Sequence, residues 1–195
     1  MNATSDTDLT LALRGLGRTP DAAPSALAAR LFLRHARLHS PVGDVWVAYG
    51  ATGIRMLRLA GEADFLADLH HRLGRPSERA TDAPAGTQDA LDRLDGSGLA
   101  YDLSELGAFE QDVLAAAATI PRGEARPYAW VAREIGRPRA VRAVGSALGR
   151  NPVPLLIPCH RVVRADWSTG DYVFGRAVKA ELLAREGFEA PHRGR

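Results

Sequence analysis

Only one cysteine, Cys159, occurs in the 195 residues. A lone thiol closes no intramolecular disulfide and builds no cysteine-rich zinc site. Two roles remain for it: buried apolar filler, as free cysteine most often is, or nucleophile. Lysine is equally scarce. Lys179 is the only one, so almost all the positive charge is arginine. The planar arginine fork suits phosphate and base-edge recognition, although GC-rich codon usage also enriches arginine. Long hydrophobic runs are missing too, with nothing near the ~18 apolar residues of a membrane span. The first residues carry Asp6 and Asp8 rather than the apolar stretch of a secretory signal. A free thiol fits a reducing compartment. These absences predict a soluble, cytoplasmic protein with no membrane partner. The apolar fraction is an ordinary globular 46%, and the net charge is only +2. The chain is long enough for one good core or two small ones.

The pattern along the chain changes near residue 102. Residues 1–30 read as an N-terminal extension of short helices broken by Gly15, Gly17, Pro20 and Pro24. Over 31–60, Val45, Val47 and Tyr49 alternate with Trp46 and Ala48, and a turn at 51–53 makes a hairpin with 54–59. A short helix fits 63–73. Residues 74–100, rich in Pro, Gly, Ser, Thr and Asp, read as a surface connection and a domain boundary. The expected units are therefore an α/β domain with linker over 31–101 and a second domain over 102–190. In the second, helices are expected at 106–120, 128–135 and 138–148, the last opened by Pro138 at its first position. The two short helices around Gly136 read as a helix-turn-helix. Residues 155–163 read as a strand or extended loop carrying Cys159. A last helix over 176–185 is closed by Gly187.

Seven arginines and two acids, Glu124 and Glu134, lie between Arg122 and Arg150. That bias fits a phosphate-tracking surface, or a solvated arginine-rich helix pair. The third helix adds a row of small residues, Ala140, Ala143, Gly145, Ser146 and Ala147. A bare face lets a helix backbone approach a neighbouring helix or a narrow groove. Arg142 projects from that stretch, a suitable wedge for the space left by an extruded base.

Beside Cys159 stands His160. In extended backbone adjacent side chains point to opposite sides, so a water-bridged contact is expected rather than a direct one. Only a few per cent of an ordinary thiol is thiolate at neutral pH, and a base in reach raises that fraction. Glu186 shares a helical face with Val178 and Leu182. A carboxylate on an apolar face near a helix C-terminus either frays into solvent or needs a partner, for which His160 is the candidate. His35 and His39 on a shared helical face, and the adjacent His70 and His71, read as structural or surface residues.

Taken together, these residues resemble the O6-alkylguanine-DNA alkyltransferases, or methylated-DNA–protein-cysteine methyltransferases. The matching runs are Pro121-Arg122-Gly123-Glu124 with Tyr128, Arg142-Ala143-Val144-Gly145, Asn151-Pro152-Val153-Pro154 and Ile157-Pro158-Cys159-His160-Arg161-Val162. Lys179, Leu182-Leu183 and Glu186 match the final helix. The close likeness spans about 104–188, and Ser40-Pro41-Val42-Gly43 resembles the N-terminal domain more loosely. The resemblance implies that Cys159 accepts an alkyl group from O6-alkylguanine, and from O4-alkylthymine, in double-stranded DNA. His160 and Glu186 would activate it, and Asn151 would bridge the recognition helix to the reactive loop. Arg142 would replace the flipped nucleotide, and Tyr128 would rotate the target phosphate and face the lesion base. Arg139, Ala140, Ala143, Gly145 and Ser146 would meet the minor groove. Tyr172, Val173, Val162 and Pro154 would line the guanine pocket.

The implied fold is α/β: a small N-terminal antiparallel sheet domain, ribonuclease H-like, and a mostly helical, winged-helix-like C-terminal domain. The reaction is single-turnover, no cofactor or metal is implied, and a monomer is expected. Trp167, Asp171 and Phe174 depart from the family's usual small residues or glycines around the pocket. The cysteines of some relatives' zinc site are missing. A non-enzymatic lesion binder, a helix-turn-helix regulator and a Cys-His-Glu hydrolase are the rival readings.

Overall fold

The alternation of Val45 to Tyr49 does produce a strand, and that strand lies inside a four-stranded sheet. The computed structural model describes residues 32–191; the short helices expected within 1–30 lie outside them. Strand β1 is Leu33–Leu38, β2 is Val45–Gly50 and β3 is Gly53–Arg58, each antiparallel to the next. Helix α1 spans Glu62–Leu73, and β4, Ser77–Arg79, pairs parallel with β1, giving the sheet order β3-β2-β1-β4. The sheet is thus antiparallel except at one edge.

Strand β2 is covered on both faces, so its alternation does not mark a solvent side. Trp46 and Ala48 pack with Leu33, Met56, Phe65 and Leu69 beneath α1. Val45, Val47 and Tyr49 face the other way into a cluster shared with the helical part, which includes Cys159 itself. The sheet is therefore one wall of the core on which the reactive segment rests.

Two expectations are corrected in this half. His35 is a strand residue, not a helical one. It is buried against the Trp46 and Phe65 rings at 5.6 and 6.0 Å. Arginines at 34 and 37 mask the apolar alternation of β1. Residues 74–100 are more than a connection. Besides β4 they form helix α2, Thr87–Arg93, which sends Ala90, Leu91 and Leu94 into the main core. A helix of two turns is too short for its periodicity to stand out. Tyr101 bridges to Ile54 at the β3 edge. A Cβ at Gly53 would sit 2.4 Å from the Ala100 carbonyl oxygen, so this close approach requires glycine.

The helical part follows the sequence more closely. Helix α3 is Ala108–Ala118, its first turn held by Glu110, which accepts from the Gly107 N–H at 3.0 Å. A two-residue strand β5, Arg126–Pro127, leads into α4, Tyr128–Glu134. The turn is closed by Gly136 at φ 68, with Arg137 N–H bonding back to the Ala132 carbonyl at 2.8 Å. Helix α5 begins at Val141 and runs to Gly149. Pro138 therefore lies in the turn rather than at the helix start, and Arg139 and Ala140 precede the helix. The reactive segment is not extended throughout. Cys159–Arg161 form a 3-10 turn, and only Val162–Val163, strand β6, is extended, pairing parallel with β5. Every residue from 153 to 163 is buried, so no periodicity could reveal the turn. Helix α6, Arg176–Arg185, ends as expected at Gly187, φ 79. Among the described residues no helix is long and apolar enough to cross a membrane.

Candidate active site

The 3-10 turn sends Cys159 and His160 in different directions, and each meets a different partner. Asn151, just past α5, donates its side-chain N–H to the Cys159 sulfur at 3.1 Å and to the Ile157 carbonyl at 3.0 Å. Its side-chain oxygen accepts from the Val153 N–H at 3.0 Å. Burial pushes the Cys159 thiol up, while the Asn151 hydrogen bond and the Lys179 ammonium act in the opposite direction.

His160 meets a carboxylate instead. Its Nε2 lies 3.1 Å from Oε1 of Glu186. An ionised carboxylate only accepts, so Nε2 carries the proton and Nδ1 holds the free lone pair. Nδ1 is buried and has no hydrogen-bond partner among the described residues. Burial lowers the His160 pKa despite Glu186, so the ring is neutral and able to act as a base.

Glu186 has a second partner that sequence reasoning missed. Arg161 donates to it from Nε at 3.0 Å and from a terminal nitrogen at 2.8 Å. The same guanidinium bonds the Ile120 and Leu94 carbonyls, both at 2.7 Å. Burial alone would raise the Glu186 pKa, but hydrogen bonds from His160 and Arg161 outweigh it and hold the carboxyl at about 2. Sequence spacing could show that Glu186 needed a partner, not that it had two.

Lys179 is buried, and desolvation lowers its pKa to about 8. It donates to the Val162 carbonyl at 2.5 Å and lies 5.7 Å from the Tyr128 ring centroid.

A cavity of about 540 Å³ opens beside the thiol, lined by Cys159, Tyr128, Arg142, Gly145, Tyr172 and Val173 among others. Six residues singled out in the sequence therefore converge. His160, Glu186 and Asn151 stand buried behind the lining. Val162 and Pro154 are buried but do not line the cavity. Arg139, Ala143 and Ser146 are exposed on the adjacent face, and Ala140 is half-buried. The lining adds Arg164, not singled out in the sequence, and includes Asp171, one of the departures from the family's usual residues. Asp171 is paired with Arg176 at 2.6 Å, which leaves Arg142 and Arg164 to make the cavity mouth cationic. Trp167 does not enter the cavity. Its ring packs on Phe188 at 6.3 Å, held in a loop where Trp167 itself has φ 68. Among the described residues no group of three or more His, Cys, Asp or Glu is placed to hold a metal ion.

Site and fold together define a protein with a hydrogen-bonded, buried thiol at the floor of a cationic cavity beside a helix-turn-helix. Comparison with known proteins gives this class its family. Residues 108–188 match the family model of the 6-O-methylguanine DNA methyltransferase, DNA binding domain. The chain is 30% identical over 167 residues to a methylated-DNA–protein-cysteine methyltransferase of Salmonella typhimurium, covering 81% of this chain and 98% of that protein. It is 36% identical over 149 residues to one from Mycolicibacterium paratuberculosis, covering 71% and 90%. Among solved structures, Mycobacterium tuberculosis OGT in complex with DNA superposes with a TM-score of 0.66 at 32% identity, over 79% of this chain and 92% of that one. The chain also matches the Ada proteins of Escherichia coli, at 51% identity over 79 residues, and Salmonella typhimurium, but spans only 22% and 45% of their lengths. The chain belongs to the methylated-DNA–protein-cysteine methyltransferase family.

Proposed function

We propose that this protein repairs double-stranded DNA by moving the alkyl group of O6-alkylguanine onto its own Cys159, irreversibly and once per molecule. The observation that carries the reading is the 3.1 Å hydrogen bond from Asn151 to the thiol, set behind a cavity that opens beside α5. A target atom inside a duplex is out of reach, so the nucleotide must first be flipped out, at a few kcal/mol. The exposed Arg142 would fill the gap it leaves, and Tyr128 would face the base. Arg139, Ala140, Ala143, Gly145 and Ser146 lie on or beside the helix that would enter the minor groove. Tyr172 and Val173 would line the guanine pocket, with Val162 and Pro154 supporting it from behind.

The thiol proton passes through a bridging water to His160 Nδ1, which Glu186 holds in the required tautomer. The thiolate attacks the alkyl carbon opposite O6. An S–C bond forms, the C–O6 bond breaks, and the electron pair leaves on guanine, which regains a proton. The Asn151 N–H stabilises the thiolate and prevents its sulfur from wandering. Alkylthymine is a second substrate of the same chemistry. In this reading the units 31–101 and 102–190 are ribonuclease H-like and winged-helix-like domains, and a cytoplasmic location keeps the thiol reduced. A lesion binder without chemistry has no use for a hydrogen-bonded cysteine.

Intact mass after incubation with a duplex carrying one O6-methylguanine tests the proposal, beside Cys159→Ala. A single methyl gain on the wild type alone, saturating at one per molecule, is expected. Tight binding with no mass change would overturn transfer in favour of lesion recognition.

A further inference from the structure

We propose that Arg58, on the sheet and outside the cavity, is a positioning residue for Cys159, acting through the Pro152–Val153 peptide and the Asn151 side chain. The inference rests on the alkyl-transfer reading above and assigns the N-terminal sheet a part in it.

Arg58 ends β3 and is nearly buried. One terminal nitrogen of its guanidinium donates to the Pro152 carbonyl at 2.9 Å and to the Leu57 carbonyl at 2.7 Å. Its Nε donates to Asp68 of α1 at 2.8 Å, and Arg72 holds the other oxygen of that carboxylate at 2.7 Å. The Pro152 carbonyl also accepts the Leu57 N–H at 2.8 Å. Both of its lone pairs are thus taken by β3.

The opposite end of the same peptide unit faces the site. The Val153 N–H donates to the Asn151 side-chain oxygen at 3.0 Å, and the Asn151 N–H donates to the sulfur at 3.1 Å. A peptide is planar and rigid, so fixing its carbonyl fixes the direction of its N–H. Every bond in the chain points the same way: guanidinium to carbonyl, peptide N–H to amide oxygen, amide N–H to sulfur. Aligned hydrogen bonds polarise one another, and here a fixed positive charge stands at the far end from a developing thiolate. Arg58 thereby orients the Asn151 amide and strengthens its donation.

A purely structural role for Arg58 makes a different prediction. Without the guanidinium, Pro152 keeps the Leu57 N–H and Asp68 keeps Arg72, and the loss falls on the Leu57 carbonyl alone. The fold should survive while the thiol changes.

The test is a cycle of Arg58→Met, Asn151→Ala and the double variant, with Arg58→Lys as the conservative control. Three quantities are read on the full chain: thiol titration by iodoacetamide alkylation without DNA, the single-turnover transfer rate at saturating O6-methylguanine duplex, and duplex affinity. The other groups near the thiol, Lys179, His160, Tyr128, Tyr172, Arg142 and Arg164, are the same in all variants. Arg58→Met is expected to raise the thiol midpoint by about one unit, a roughly tenfold loss of thiolate at neutral pH, with a matching loss of transfer rate and unchanged affinity. In the Asn151→Ala background it should add nothing, and Arg58→Lys should recover part of the loss. An equal effect of Arg58→Met with and without Asn151, or a lowered melting temperature with an unmoved thiol midpoint, overturns the proposal. If wild type gains no methyl group, the alkyl-transfer reading fails by itself, and the titration cycle still decides the role of Arg58.

Discussion

The Glu186 carboxylate stands between His160 and Arg161, neighbours in sequence that reach it from one 3-10 turn. One carboxylate therefore sets the tautomer of the His160 imidazole and neutralises a buried guanidinium. Replacing Glu186 by Gln strands the Arg161 charge, and breaking such a pair costs about 3–5 kcal/mol. The expected outcome is a loss of that size in urea unfolding, together with a transfer rate lowered by at least about a hundredfold. Stability unchanged within error would refute the arrangement.

The same carboxylate makes the protein acid-sensitive. Its folded pKa of about 2 lies below the ordinary 4.5. A depressed carboxylate contributes stability that is present above the unfolded pKa and lost as pH falls from about 4.5 towards 2. The gap corresponds to about 3 kcal/mol. Unfolding free energy measured between pH 7 and 3 should fall in the wild type and fall less in Glu186→Gln.

Lys179 and Cys159 should shape the reactivity of the thiol with pH. Burial raises the thiol pKa, so alkylation by iodoacetamide should keep rising from pH 7 to 9. The ammonium that favours the thiolate is itself lost through about pH 8. Above that pH the rise should be shallower than the tenfold per unit of a simple thiol. Lys179→Met removes the ammonium at all pH values. It should slow alkylation at pH 7 by roughly tenfold, the effect of a pKa shift of about one unit, and make the climb above pH 8 steeper than in wild type. Parallel curves for the two proteins would refute the coupling.

On the DNA face, Arg139 and Arg142 should differ in kind. Arg139, exposed in the turn, is expected to contact phosphate. Arg139→Ala should weaken binding to all duplexes alike and reduce the salt slope by about one. Arg142 lines the cavity, and Arg142→Ala should slow transfer more than it weakens binding. Filter binding against salt, beside single-turnover rates, separates the two. Equal loss of affinity and rate in both variants would remove the wedge role from Arg142.

Local features were legible wherever the determinant was itself local. Gly136 and Gly187 end α4 and α6 because the chain needs a left-handed residue there, and glycine supplies it. The apolar spacing of 128–135 became α4 within one residue. The need of Glu186 for a partner could be argued from burial and the helix dipole alone. Pro138 misled, since a proline suited to a first helical position is equally suited to the turn before one.

What the amino-acid sequence determined by itself was the inventory of chemistry: one thiol, an adjacent imidazole, a carboxylate on an apolar helix face, and an arginine-rich pair of short helices. Tertiary structure alone decided how these groups act on one another. Arg161 reaches Glu186, Lys179 holds the Val162 carbonyl, and Arg58 holds Pro152 from a strand far away in sequence. The physical reason is range. Helix and turn propensities depend on a few neighbouring residues. The tautomer of His160 and the charge on Cys159 depend on desolvation and hydrogen bonds from segments that only the fold brings together.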